Sequence, residues 1–259
     1  MRNLIGKLLA IVLTSICIVN CTPAKKYTVA NAHSHNDYEN TSPFTNAFRE
    51  GFGSIEADVF PVNGQLLVAH DKKKIQQQNT LKALYLDPLL SGLMTDSLRK
   101  LNLLIDIKEN YPEALSILQK ELQPLQKYLS TTTEPKRVTV SISGERPPPS
   151  RYTDYPDYIF FDNDLKQQHS PDDWKRVNLV SLQFDKISAW KGEGAIPKTD
   201  LQKLKHVIDS VHSAGKPIRF WAAPDTEEAW KQQMKLHVDL IGTDKINELG
   251  RYLKEGSKS

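Results

Sequence analysis

The sequence predicts an α/β fold, a (β/α)8 TIM barrel with a β-hairpin extension after its second strand, and three observations carry that prediction. The chain has 259 residues, which suits one medium domain, and a barrel of this kind needs roughly 250. Short, almost continuously apolar and β-branched runs recur along it, as expected of parallel strands covered on both faces. Longer stretches of helical pattern separate most of those runs, which is the rhythm of repeated strand–helix–strand units.

The chain begins differently. Arg2 and Lys7 precede an apolar run from Leu8 to Val19 that is too short to span a bilayer comfortably and gives way at once to polar sequence. Residues 1–21 therefore read as a signal peptide. Ile18-Val19-Asn20-Cys21 is similar to a bacterial lipoprotein processing site, although Asn20 stands where a smaller residue is usual. Cys21 would then be the lone thiol of the mature chain, and acylation explains an odd cysteine in an exported protein. The expectation is an exported protein of the bacterial cell envelope, lipid-anchored at Cys21 through a tether over residues 22–28, with the barrel over residues 29–255.

The strand candidates are Val29 to His33, Ser54 to Val59, Leu66 to His70, Leu103 to Ile107, Val138 to Ser143, Tyr158 to Asp162, Leu179 to Phe184, Ile218 to Ala222 and Leu240 to Thr243. Helical pattern covers Pro43 to Glu50, Pro112 to Tyr128, Asp200 to Ala214 and Thr226 to Leu236; Ala214-Gly215-Lys216-Pro217 supplies a stop signal. Nine strands are one too many for the barrel. Val62-Asn63-Gly64-Gln65 accounts for the surplus, because Asn-Gly is the strongest short-range hairpin signal. Leu66 to His70 is then an antiparallel return of the second strand, with Val62 opposite Gln65, Asp58 opposite Ala69 and Ala57 opposite His70.

Function in this architecture sits at the C-terminal ends of the strands. His33 and His35 end the first, Glu56 and Asp58 the second, Asp106 and Lys108 the next parallel one; Trp221 and Asp244 mark the last two. Glu56 and Asp58 are two residues apart and share a strand face. Two carboxylates so close repel each other unless a proton or a cation intervenes. With Asp106 they make an oxygen-rich set suited to one Mg²⁺ or Ca²⁺ ion and less to Zn²⁺. An internal ion pair of Glu56 or Asp106 with Lys108, needing no metal, is the competing reading. His33, His35 and His70 are candidates for acid/base work, whereas His169, His206, His212 and His237 lie in helical or loop patterns. Lysines are spread along the chain and the formal charge is +3, so no nucleic-acid footprint is visible and a monomer is expected.

Ala32-His33, Glu39-Asn40-Thr41, Ser54-Ile55-Glu56-Ala57-Asp58-Val59 and Val68-Ala69-His70-Asp71 follow the motif order of the glycerophosphodiester phosphodiesterases, which the chain resembles. Asp106-Ile107-Lys108, Trp221 and Thr243-Asp244 are similar to later motifs of that family. His33-Ser34-His35-Asn36-Asp37-Tyr38 and Leu84-Tyr85-Leu86-Asp87-Pro88-Leu89 resemble an uncharacterised branch of the phospholipase-C-like phosphodiesterases. The resemblance implies phosphodiester cleavage on a small molecule or lipid headgroup, with Glu56, Asp58 and Asp106 on the metal, the histidines moving protons, and Lys108 and Trp221 touching substrate. The family's phosphate-binding arginine is missing, since Ser34 and His35 stand where Arg-Gly is usual, and Lys108 is a candidate replacement. Two alternatives remain: a phospho-ligand-binding protein without catalysis, and a metal-dependent amidohydrolase suggested by His33-Ser34-His35.

Overall fold

The computed structural model describes residues 25–96 and 99–256. In chain order the elements are β1 (Ala32–Ser34), α1 (Thr45–Glu50), β2 (Ser54–Val62), β3 (Gln65–Val68), α2 (Asp87–Thr95), β4 (Leu101–Ile107), α3 (Tyr111–Glu121), β5 (Val138–Gly144), β6 (Ile159–Asn163), α4 (Pro171–Lys175), β7 (Val177–Gln183), α5 (Lys198–Ser213), β8 (Ile218–Trp221), α6 (Glu227–Lys235), β9 (Ile241–Thr243) and α7 (Ile246–Gly256). The strand order is β8-β7-β6-β5-β4-β2-β1-β9, with β3 outside the path on β2. A parallel bridge between Arg219 and Leu240 brings β8 to β9. Eight parallel strands thus form a nearly closed (β/α)8 barrel.

The extra strand is the hairpin. Val62 pairs with Gln65 and Val59 with Val68, and the Ala69 N–H donates to the Asp58 carbonyl at 3.2 Å, continuing the expected register. Asn63 and Gly64 have φ of 50° and 76°, so both central residues occupy the left-handed region that a tight hairpin demands. This turn folds His70 back over the end of β2.

Local chemistry explains where the elements differ from expectation. Val29–Asn31 is a 3-10 turn capped by the Thr28 side chain rather than the start of a strand. The stretch expected as one helix from Pro112 to Tyr128 divides into α3 and a 3-10 segment, Gln123–Tyr128, because Pro124 has no N–H to donate and crowds the preceding turn. Between β5 and β6 the Pro147-Pro148-Pro149 run leads into a 3-10 segment, Pro149–Asp154. α2, α4 and α7 were not expected. α7 buries Ile246, Leu249, Gly250 and Leu253, one helical stripe.

Alternation along the strands divides the molecule into two environments. On β4, Leu103, Ile105 and Ile107 belong to the apolar layer beneath the helices, with Leu115 and Leu118 of α3. Asn102 and Asp106 lie on the opposite, interior phase. That interior is polar, where branched apolar side chains commonly fill such barrels. Across it, Asn102 donates to Ser54 Oγ at 3.1 Å, Ser141 donates to Asn102 Oδ1 at 2.7 Å, and Asn178 donates to the same oxygen at 3.0 Å. The site is built on this floor.

Candidate active site

β2 and β4 are paired so that Asp58 lies beside Asp106 and Glu56 beside Leu104. One oxygen from each of Glu56, Asp58 and Asp106 falls within 4.8 Å of the other two. The approach depends on a small neighbour. A Cβ on Gly144, at the end of β5, would stand 2.6 Å from Asp106 Oδ1 and 2.3 Å from the Ile107 carbonyl, and its φ of +67° is a second barrier to any side chain. Ser143 fixes the same Asp106 oxygen with a 2.8 Å hydrogen bond.

Lys108 joins two of these acids: its ammonium is 2.7 Å from Asp58 Oδ2 and also contacts Asp106 Oδ2. Glu56 pairs instead with Arg219, whose Nη1 donates to Oε2 at 2.7 Å. Burial pushes the Asp58 carboxyl up, as do the neighbouring charges of Asp106 and Glu56, against the pull of Lys108. Glu56 is held well below the usual carboxylate range despite complete burial, because Arg219 and His33 face it. The donor set is all carboxylate oxygen, which fits Mg²⁺ or Ca²⁺. Repulsion still felt by Asp58 gives a divalent cation something to relieve.

The histidines separate by depth. His33 is wholly buried, with Nδ1 2.8 Å from Ser54 Oγ, and with Nε2 2.8 Å from Glu56 Oε2 and against Arg219 Nη1. Burial and the Arg219 charge push its pKa down to about 4, so the ring is neutral near pH 7. His35 instead lines a cavity of about 410 Å³, and its Nδ1 is 2.8 Å from Asp244 Oδ1. Burial opposes charge on His35, but the Asp244 hydrogen bond and the Glu56 and Asp244 charges raise its pKa overall. His70 lines the same cavity, its Nδ1 3.1 Å from the Tyr38 hydroxyl and 3.2 Å from Asp58 Oδ2. Tyr38 donates to Asp58 Oδ2 at 2.7 Å.

The structure therefore brings Glu56, Asp58, Asp106, Lys108, His35 and His70 together, and the half-exposed Trp221 lines the same cavity. It sets His33 beneath Glu56, outside the cavity lining. Sequence reasoning missed Arg219 of β8 and Asp162 of β6, both buried and both on the cavity wall. The available signal was a single charge inside an otherwise apolar strand run. Arg219 Nε also donates to Ser181 Oγ at 2.7 Å, so its guanidinium spans the barrel from β7 to β2. It brings to the cavity the guanidinium that the motif after the first histidine lacks.

A family model described as the AIM6-like phosphodiesterase domain matches residues 24–97. The altered inheritance of mitochondria protein 6 homolog of Arthroderma benhamiae is 28% identical over 263 residues, covering 85% of this chain and 82% of its own. The Kluyveromyces lactis protein of that name is 26% identical over 302 residues, covering 86% and 72%. A glycerophosphodiester phosphodiesterase from Parabacteroides distasonis has a similar fold, with a TM-score of 0.57 and 15% identity, covering 87% of this chain and 97% of that one. These sequence relatives are fungal proteins and not bacterial envelope lipoproteins, which overturns the expectation of an exported, lipid-anchored protein of the bacterial envelope. The leader and Cys21 lie outside the described residues; among the described residues no helix is long and apolar enough to cross a membrane. Residues 24–97 thus match a phosphodiesterase-domain model, and the barrel has the fold of a known glycerophosphodiester phosphodiesterase.

Proposed function

We propose that this protein cleaves phosphodiesters, with Glu56, Asp58 and Asp106 holding one Mg²⁺ or Ca²⁺ ion and with His35 and His70 moving protons. The observation that carries the reading is the convergence of the three carboxylates to within 4.8 Å at the mouth of the barrel, in a cavity that both histidines line. The ion would supply positive charge to a non-bridging phosphoryl oxygen. An attacking hydroxyl, from water or from the substrate itself, forms one P–O bond as the bond to the leaving oxygen breaks. One imidazole takes the attacker's proton and the other protonates the leaving oxygen. Asp244 orients His35, and Tyr38 with Asp58 orients His70. His33 is a positioning residue that braces Glu56 and Arg219.

Charge supports a phosphodiester as the ligand. With Asp58, which shares the ion, five carboxylates (Glu56, Asp58, Asp106, Asp162 and Asp164) face four fixed cations (Lys108, Arg146, Lys166 and Arg219), so a bound divalent ion turns the net charge from negative to positive and favours an anion. Lys108 is largely engaged by Asp58 and Asp106, which makes Arg219 a second candidate for contact with phosphate. The amidohydrolase alternative calls for histidine ligands, whereas the metal-donor group found among the described residues contains only carboxylates. The double pairing of Lys108 favours the remaining alternative, a phospho-ligand-binding protein that neutralises its own acids.

Turnover separates these readings. Wild-type protein given Mg²⁺ or Ca²⁺ should cleave a glycerophosphodiester. Chelation should abolish activity reversibly, and Glu56→Gln should lower kcat at least roughly 10³-fold with the fold retained, since it removes a metal ligand while keeping the side chain's shape. Glycerol phosphate binding without product in the metal-loaded wild type would leave only the binding reading.

A further inference from the structure

Two motifs singled out in the sequence, His33 to Tyr38 and Leu84 to Leu89, meet at a residue that the proposed chemistry does not use. Asp37 is wholly buried in the segment between β1 and α1. Its Oδ1 accepts the Ser34 hydroxyl at 2.8 Å, and its Oδ2 accepts the Phe44 N–H. Tyr85 lies in a π-helical turn, Lys82–Leu86. Its buried hydroxyl faces the same carboxylate without completing a well-formed hydrogen bond to it or to any other described residue. The main-chain carbonyl of Asp37 accepts from the backbone and the side chain of Asn40, each at 3.1 Å. Asn36, just before Asp37, has a left-handed φ of 44°, and Phe44, just before α1, has one of 61°. A segment with two such residues keeps one shape only where its surroundings hold it. Burial pushes the Asp37 pKa up, against the pull of the Phe44 N–H and of the Ser34 and Tyr85 hydroxyls. A carboxylate buried among neutral donors costs stability, yet three converging donors call for a group that only accepts.

We propose that Asp37 is a positioning residue that sets both proton-transfer imidazoles from one point, by fixing the two ends of the segment that carries His35 and Tyr38. This inference rests on the phosphodiesterase reading. Toward His35 the path is one residue long. Ser34 is tied to Asp37, and His35 follows it with its own N–H on the Thr243 carbonyl at 3.0 Å and its ring on Asp244. Toward His70 the path is Tyr38, next in the chain after Asp37. The Tyr38 hydroxyl lies 3.1 Å from His70 Nδ1, 2.7 Å from Asp58 Oδ2 and 2.8 Å from Asn36 Oδ1. Asn36 also donates to Asp244 Oδ2 at 3.3 Å, so the side chains that orient the two imidazoles belong to one hydrogen-bonded run from Asp244 through Asn36 to Tyr38. Asp37 does not line the cavity, and its effect reaches the chemistry through the placement of its neighbours. A misplacement of about 1 Å can lower a rate on the order of a hundredfold. The Phe44 and Tyr85 rings, with centroids 6.0 Å apart, join this brace to the apolar core.

The test compares wild type with Asp37→Ala on two substrates in the presence of Mg²⁺. The leaving alkoxide of glycerophosphoglycerol needs a proton, whereas the leaving phenolate of bis(4-nitrophenyl) phosphate does not. Asp37→Ala should lower kcat for glycerophosphoglycerol roughly 10- to 100-fold with KM within about threefold, and should lower kcat for the nitrophenyl ester at least about fivefold less than that. Unfolding or a collapsed cation site lowers both activities alike, so equal losses overturn the proposal, as does a loss on glycerophosphoglycerol below about threefold. Ser34→Ala cuts the tether nearer His35 and keeps the carboxylate. It should show the same skew between substrates at smaller amplitude, and it judges the proposal if Asp37→Ala does not fold. If wild type cleaves neither compound, the phosphodiesterase reading fails on its own, and the histidine ring resonances of wild type and the folded variant, compared by NMR, then judge the positioning. Shifts of the His35 and His70 rings with His206 and His237 unmoved support it, and any other pattern overturns it.

Discussion

The two walls of the cavity solve the same electrostatic problem differently. On the wall built by β2 and β4, acids and cation are neighbours: Lys108 sits between Asp58 and Asp106, and Asp58 is also held by Tyr38 and His70. On the wall built by β6, β7 and β8, Arg219 reaches past Asp162 to bond Glu56 across the barrel, and Asp162 is left with burial as its main influence. The first arrangement crowds like charges, as a cation site must before its cation binds. The second holds a buried acid with neutral donors, the Asn163 N–H and the Ser181 hydroxyl, in place of a paired cation. The contrast teaches that charge in this barrel is balanced locally on one wall and across the barrel on the other.

The sharpest way to break that division is to separate the histidines. His35→Ala and His70→Ala should each lower kcat roughly 10²- to 10⁴-fold, the usual value of a proton-transfer group, with melting temperature nearly unchanged because both rings are partly exposed. His33→Ala should cost roughly 2 to 3 kcal/mol of stability by emptying a buried site and leaving Ser54 with Asn102 as its remaining side-chain partner. Its loss of activity should follow the loss of folded protein and the loosening of Glu56. Steady-state kinetics paired with thermal melts reads both outcomes. Loss of chemistry without loss of stability in His33→Ala would move the acid/base function below the cavity floor and dissolve the distinction drawn here.

How much of this was legible follows the same line. Glu56, Asp58, Asp106 and Lys108 end short apolar runs at strand spacing, and the Asn63-Gly64 turn predicts where β3 carries His70. A local pattern therefore sufficed for the chemical wall. The choice between His33 and His35 could not be read, because both share one face of β1 and differ only in depth. Depth depends on the register with β2 and β9, where His33 stands opposite Ser54 and Gly242. Arg219 and Glu56 are 163 residues apart in sequence, and their contact exists only once the barrel closes. The fold was legible for a related reason: strand runs and the hairpin are local patterns. Helix ends were less so where Pro124 turns the end of an expected α-helix into a 3-10 segment, and α7 was overlooked although its apolar stripe was present.

The wall of β6, β7 and β8 can be sharpened by pH. Asp162 has a folded-state pKa of about 6, above the ordinary 3.8, so the folded protein binds the proton more tightly than the unfolded chain does. Stability then falls as pH rises between those values, and the penalty for ionising Asp162 is fully present above pH 6. Asp162→Asn should therefore be more stable than wild type by roughly 1 to 3 kcal/mol at pH 8. The gain should shrink as pH falls through about 6 and vanish below about 3.8. Denaturant midpoints measured across that range check the sign. A constant gain at every pH would mean that packing, and not charge, sets the difference, and the wall would lose its reading as one that carries a buried, poorly compensated charge.

The smallest effect belongs to the rim. Trp221 ends β8, two residues after Arg219 on the same strand phase, and is 41% exposed at the cavity mouth. It touches neither the carboxylate cluster nor a proton-transfer group, so its contribution is the apolar area it can cover when a ligand enters. Trp221→Ala should raise KM roughly three- to tenfold and leave kcat within about twofold, because contact made equally in the ground and transition states shows in KM alone. The size of the KM effect should grow with the apolar area of the substrate. A fall in kcat of tenfold or more, with KM unchanged, would instead tie the indole to the position of Arg219 and make the rim part of the wall that holds the phosphate.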